Sequence, residues 1–309
     1  MNTLFKYKSI ICMISLLILT AGCVRDDDAD CNNRGEIIIR VLDGQNNDIT
    51  ETDAIKDVIL YLFGSKNTFI DSIPIPISIV KSRKPIILEY PRQSHLTAVV
   101  WCNTIACEST EVDDLDENKH NIESPLKVWL KPNGGKTKTT NLYNSPEELF
   151  HGKGKIGLDS STGVQSITFP VKRKVSSIIV IAKRLRQWAG GGTDEDFSIQ
   201  VRGTSDTYSL VDGELEGGDA TYAPDISFDE NDYLVSPLFN TFPSDRTQRV
   251  EVEIYKGENC IYRASLDNEG NPLVAEEGRT LQVVIDFQAS ISVDVSINPW
   301  HVVNQYTDL

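Results

Sequence analysis

Histidine is scarce in this chain of 309 residues: His95, His120, His151 and His301 each stand alone. There is no HExxH, no histidine beside a serine in a nucleophile elbow and no paired Cys/His nucleophile, so the commonest hydrolytic chemistries have no motif to rest on. A phosphate loop is missing as well, because "HGKGKIG" (151–157) lacks the GK[ST] ending and the strand-to-helix setting that cradles phosphate. The carboxylate-rich "EVDDLDENKH" (111–120) lacks EF-hand spacing and its turn glycine, and reads as a solvated loop. Positive charge is in deficit, with 30 Lys and Arg against 45 Asp and Glu and a formal net charge of −15. Such a chain repels nucleic acid and anionic headgroups. No motif for an enzyme, a cofactor or a metal is present.

Long apolar runs are also absent, and the longest one sits at the N-terminus. Lys6 and Lys8 precede an uncharged run from Ser9 to Leu19. As a helix it would rise roughly 16 Å, about half the hydrocarbon thickness of a bilayer, so it cannot serve as a permanent span. Positive residues, a short apolar stretch and small residues before a cut are the anatomy of a secretory signal. Here the small residues Ala21 and Gly22 lead into Cys23. A peptidase that cuts before cysteine needs that thiol to carry a diacylglyceryl group, so Cys23 is expected to be the lipid-bearing first residue of the mature chain. Thr20 departs from the pattern, which favours Leu three residues before the cysteine; Leu19 lies next door. Several acyl chains, at about 0.8 kcal/mol per buried methylene, would hold a soluble domain on a membrane.

After Cys23 the polarity reverses. "VRDDDADCNNRGE" is too polar to pack and is expected to be a solvated tether over residues 23–35. Removal of residues 1–22 takes Lys6 and Lys8 away, and these two charges lower the formal net charge from −15 to −17. The 287 residues that remain exceed one small core and suggest two domains of roughly 130 to 140 residues each.

Of the six cysteines, Cys12 leaves with the signal and Cys23 is acylated. Cys31, Cys102, Cys107 and Cys260 remain, in a compartment that permits disulfides. Four thiols allow three pairings. A Cys31–Cys102 bridge is the expectation, since it would tie the end of the tether to a core strand. The Cys102–Cys107 spacing fits neither a zinc knuckle nor a redox CxxC.

What the chain has in abundance is alternation. "EIIIRVL" (36–42), "DVILYLF" (57–63), "HLTAVVWC" (95–102) and "LKVWLKP" (126–132) are β-branched or aromatic runs bounded by turn residues, and predict strands of one sandwich over 36–168. "VQSITFP", "VSSIIVIA", "FSIQVRGT", "VEVEIYKG", "CIYRASL" and "TLQVVIDFQASISVDVSIN" predict a second set, and the boundary is placed so that the second sandwich covers 169–309. The fold class is therefore all-β, with two antiparallel sandwiches. Short helices are expected at "SPEELF" (145–150), from its Ser cap, Pro and Glu, and at the start of "DITETDAIKD" (48–57). Trp101 and Trp129 fall inside strand patterns and are expected in the core; Trp188 and Trp300 complete the aromatic set that a sugar platform would need.

The whole pattern resembles a known family. "CVRDDDADC", "VILYLFGSKNTFIDS" (58–72), "YNSPEELFHGKG" (143–154), "VKRKVSSIIVIA" (171–182) and the closing "INPW" (297–300) are similar to the FimB-type anchor proteins of the type V fimbriae of Bacteroidota, sisters of the fimbrillins. Glu148 and His151 depart from a "DLFYG"-like form common in that family. The resemblance implies two transthyretin-like sandwiches and a lipoprotein that holds the base of a fimbria on the outer membrane and limits its length. It also implies that Asp26, Asp27 and Asp28 act as an export signal to the outer face. Fimbrillins themselves are cut after a basic residue and lose their first strand, which opens a groove for a donated strand; an anchor keeps its own. Arg34 and Arg40 lie where such a cut would fall. The short tether favours an anchor, a processed fimbrillin comes next, and a glycan-binding surface lipoprotein is third. The implied partners are fimbrillin subunits, through edge-strand pairing, and outer-membrane lipid, through the acylated cysteine. The segment 290–309, with "SISVDVSI", alternates well enough to pair with another sheet, though an ordinary place inside the second sandwich is the slightly stronger expectation. Arg173, between Lys172 and Lys174, falls near the expected domain junction.

Overall fold

The computed structural model describes residues 33–105, 107–116, 119–133, 142–158, 164–245 and 247–306. Within them the chain is all-β, with only two short α-helices, Ile77–Lys81 and Leu185–Trp188, and a single turn of 3-10 helix at Asp194–Asp196. The alternating runs become strands because period-two apolar residues can bury one face of a pleated strand. In the strand Arg34–Leu42, Ile37, Ile39 and Val41 are buried, whereas the residues between them are not.

Seven strands form the first sheet, in the order Phe69–Pro74, Val58–Phe63, His95–Cys102, Phe150–Gly157, Gln165–Arg173, Arg34–Leu42 and Ile86–Glu89. All neighbours are antiparallel except the first strand and Gln165–Arg173, which run parallel from Gly35 opposite Gln165 to Leu42 opposite Lys172. Inward residues from the whole sheet, among them Ile37, Leu60, Leu88, Val100, Phe150 and Val171, share one core.

The second unit is a sandwich. One sheet runs Ser227–Phe228, Leu234–Val235, Ser176–Lys183, Arg279–Asp286 and Ser292–Pro299, with Phe239–Thr241 also on Ser176–Lys183. The other runs Asn259–Ala264, Glu251–Lys256, Phe197–Thr204, Ala220–Tyr222 and Leu142–Tyr143. A small sheet of Thr207–Ser209, Lys127–Leu130 and Thr110–Val112 stitches the halves together. The expected boundary at 168 therefore falls inside a strand. Gln165–Arg173 belongs wholly to the first sheet, whereas Lys127–Leu130 and Leu142–Tyr143 pair with strands of the second half.

The cores are not separate either. Strand Val58–Phe63 sends Val58, Leu60 and Leu62 into the first core, and Tyr61 and Phe63 into a larger one that continues through Trp101, Tyr208 and Phe242 into the sandwich. The first sheet is thus covered on both faces over this stretch, which explains the near-continuous apolar run "VILYLF".

The two expected helices do not form. Residues 144–149 are irregular, because the Ser145 hydroxyl that would cap a helix accepts instead from the Asn240 amide (2.8 Å), and the Pro146 carbonyl accepts from Asn240 Nδ2 (3.0 Å). The segment 48–57 is a chain of turns, with the Ile49 amide donating to the Val41 carbonyl (2.9 Å).

Candidate functional site

The first strand is the centre of the site. It lies between Gln165–Arg173 and Ile86–Glu89, with Arg34 to Ile37 opposite Glu89 to Ile86. Beyond Ile37 the following segment takes over as cover: the Val41 amide donates to the Thr50 hydroxyl (2.9 Å), and Arg40 Nε donates to Asp48 (2.9 Å). The Thr50 hydroxyl, helped by Arg40 and Arg83, holds the Asp48 carboxyl well below the usual carboxylate range. Both arginines at which a fimbrillin-type cut would fall therefore sit in a paired strand. From Val41 to Ile55 there is no Lys or Arg at all.

The strand leads directly to the seam between the two units. A side chain on Gly44 would place its Cβ 2.1 Å from the Gly278 carbonyl oxygen, so the turn after the first strand touches the second unit backbone to backbone. Beside this contact Arg173 is buried, with its guanidinium donating to Glu148 (2.7 Å) and lying 5.1 Å from the Phe150 ring centre and 4.3 Å from that of Trp300. Asp43, Gly44, Arg173, Glu148, Trp300 and His301 border a cavity of about 400 Å³. Deeper in the seam, Trp101 Nε1 donates to the Leu210 carbonyl (2.7 Å) and the Tyr208 hydroxyl donates to the Lys174 carbonyl. His151 packs 4.8 Å from Trp101 and donates through Nε2 to the Val211 carbonyl (3.3 Å). Burial, with Lys174 nearby, pushes His151 down to about 4.

Asn103 is the hinge pin of the first unit. It holds a left-handed backbone (φ 65°); its Nδ2 donates to the Ala54 and Glu148 carbonyls (2.7 and 2.6 Å), and its Oδ1 accepts from the Lys56 amide (2.7 Å). Only its position just after "VVWC" hinted at a turn residue; its partners are far away in sequence.

The last strand, Ser292–Pro299, pairs along its whole length with Arg279–Asp286 and forms the edge of its sheet. It is an ordinary strand of the second sandwich, the stronger of the two expectations for this segment, and it is also an edge.

Other expected residues scatter. Cys23, Asp26, Asp27, Asp28 and Cys31 lie outside the described residues. Cys102 is a buried free thiol in the first core, Cys107 is a second buried free thiol outside that core, and Cys260 is an exposed free thiol. The tryptophans do not converge on a platform. Trp101 is wholly buried, and Trp300 has Arg173 and a stacked His301 ring (4.4 Å) against it. Trp188 packs on Phe287, and Trp129, expected in the core, is half-buried in the small sheet. "HGKGKIG" runs along the strand Phe150–Gly157. Among the described residues no group of His, Cys, Asp and Glu is placed to hold a metal ion, and Asp113 of the acidic loop accepts from the Lys127 amide (2.9 Å).

Residues 27–306 match the family model described as fimbrillin-A associated anchor proteins Mfa1 and Mfa2. The chain belongs to that family. It is 27% identical over 315 aligned residues, covering the whole of both chains, to the major fimbrium anchoring subunit FimB of Porphyromonas gingivalis strain W83. A second Porphyromonas gingivalis FimB sequence matches with the same identity and coverage. Among solved structures, the fimbrial anchor protein Mfa2 from Porphyromonas gingivalis superposes with a TM-score of 0.62 at 11% identity, covering 86% of this chain and 98% of that one. As a member of this anchor family, the chain has the fold that the likeness to Mfa2 shows.

Proposed function

We propose that this family member is a non-catalytic lipoprotein that holds the base of a type V fimbria at the outer membrane and limits its length. The observation that carries this reading is the state of the first strand. Arg34–Leu42 is paired on both sides at its start, buries Ile37, Ile39 and Val41, and is followed by a stretch without a basic residue up to Lys56. A protease specific for Arg or Lys has to pull Arg34 or Arg40 out of the ladder to cut there, and protease clefts bind extended, unpaired chain. A strand that stays in place keeps its position closed to a donated strand, which ends polymerisation at this subunit.

Acylated Cys23 would fix the chain in outer-membrane lipid, and Asp26, Asp27 and Asp28 would direct it to the outer face. A tether of about ten residues then brings the first strand close to the membrane. Fimbrillin subunits would be met at an unpaired sheet edge. Names of the relatives, anchoring subunit and anchor protein, agree with this role.

Mass spectrometry of the N-terminus of the protein extracted from outer membranes of its own cells is the deciding experiment. The expected species begins at acylated Cys23 with residues 24–42 intact. A chain beginning after Arg34, Arg40 or Lys56 would make it a processed, polymerising fimbrillin instead.

A further inference from the structure

The last strand carries a short open rail whose two ends are closed. The Val293 amide donates to Asn268 Oδ1 (2.7 Å), and the Asn268 amide donates to the Val293 carbonyl (3.0 Å). Val293 therefore points its main-chain groups away from Arg279–Asp286, and with an unbroken register through Pro299 so do Val295 and Ile297. At the far end, Pro299 has no N–H, and its carbonyl already accepts from the Val302 amide (3.0 Å). Two N–H and two C=O groups, those of Val295 and Ile297, thus remain on the outer edge between an asparagine stop and a proline stop, and among the described residues no strand lies beyond them.

The sandwich core opens along the same line. Val293 is 6% exposed, Val295 is half-buried and Ile297 is 43% exposed. An edge strand that exposes both main-chain groups and a large apolar side chain is usually blunted by charge. Here Asn268 and Pro299 blunt it everywhere except at these residues.

We infer that Val295–Ile297 is the docking edge for an extended segment of a fimbrial subunit, which adds to the sheet as a further strand while Ser292–Pro299 stays in its own place. This rests on the anchor role proposed above. The occupant pairs with three or four residues, lays an apolar side chain on Ile297 and carries Lys or Arg beside it. That charge follows from the surroundings: Asp294 is exposed on the rail, and Asp267 and Glu269 stand on the turn that presents Asn268. A second copy of this chain, itself at −15, is disfavoured as the occupant on the same ground.

Amide hydrogen exchange resolved to single residues tests this on the full mature chain, with and without purified fimbrial subunits sheared from the same cells. The Val293 amide should be slow in both states, while those of Val295 and Ile297 should slow at least about tenfold on binding. Val295→Pro, which removes an outward N–H and spares the inward pairing, should weaken binding by a similar factor. Binding that leaves the Val295 and Ile297 amides unchanged would overturn the docking edge and leave the anchor role standing. No binding at all would overturn both. Protection that rises with the concentration of this protein alone would replace the fimbrial subunit with a second copy.

Discussion

At the scale of single residues, His151 and the thiols give the sharpest tests. A neutral His151 fits its burial beside Lys174; the Nε2–H donates to the Val211 carbonyl, and Gly213, at φ 64°, packs so close that a Cβ there would lie 2.2 Å from His151 Nδ1. Its folded-state pKa of about 4 lies below the ordinary 6.5, so the unfolded chain binds the proton more tightly. The stabilising effect is complete above pH 6.5 and is lost as pH falls from 6.5 toward 4, by about 3 kcal/mol over that window. Urea midpoints of the native protein should fall over this range more steeply than those of His151→Gln. Taking the difference between the two cancels other groups such as Glu277, whose carboxyl is raised by burial and contributes with the opposite sign. Lys174, Lys153 and Asp212 face the same imidazole and are common to both proteins. The thiols should separate by burial. Cys260 should react with an alkylating reagent at once, and Cys102, whose thiol is pushed up by burial, only after unfolding. A Cys102 that resists labelling even in denaturant without reductant would instead reveal the bridge to Cys31.

At the scale of elements, strands were legible and their neighbours were not. Asn103→Ala should cost about 2–4 kcal/mol, read as a shift in the denaturant midpoint, because it strips two carbonyls and two amides of a partner and leaves alanine at φ 65°. Asn103→Asp, which keeps the acceptor and loses the donor, should fall between the two. Nothing local in "WCNT" shows this, since the partners come from 45 to 49 residues away. The same non-locality explains the missing helix at 145–150, where a sound capping pattern lost its serine to Asn240, 95 residues on. By contrast, Ile37, Ile39 and Val41 announced their strand through spacing alone, and the run "TLQVVIDFQASISVDVSIN" announced strand though not its division into the paired Arg279–Asp286 and Ser292–Pro299. Alternation is a property of one strand. Sheet order, the parallel pairing with Gln165–Arg173 and the Asn268 stop are properties of two, and a single sequence does not carry them.

At the scale of the whole molecule, the question is whether the two units unfold as one. The first sheet lends Tyr61, Phe63, Val99 and Trp101 to a core that the second unit completes with Tyr208 and Phe242, and Arg173 ties the last turn of the chain to the strand beside the first. Apolar surface shared in this way couples the stabilities of the units, since neither buries its own face alone. Tryptophan fluorescence, which reports Trp101 and Trp300 in the seam, and far-ultraviolet circular dichroism should therefore give coincident denaturation curves. Trp101→Ala, at a cost of about 3–5 kcal/mol, should lower that common midpoint and begin to split it, because the side chain that bridges the units is gone. Two separate transitions in the native protein would show that the seam is a contact and not a core. The distinction bears on anchoring. On the proposed reading, a lipid held at Cys23 loads the first strand and a subunit held at Val295–Ile297 loads the last, and a continuous core carries that load between Arg34–Leu42 and Ser292–Pro299 without one unit peeling from the other.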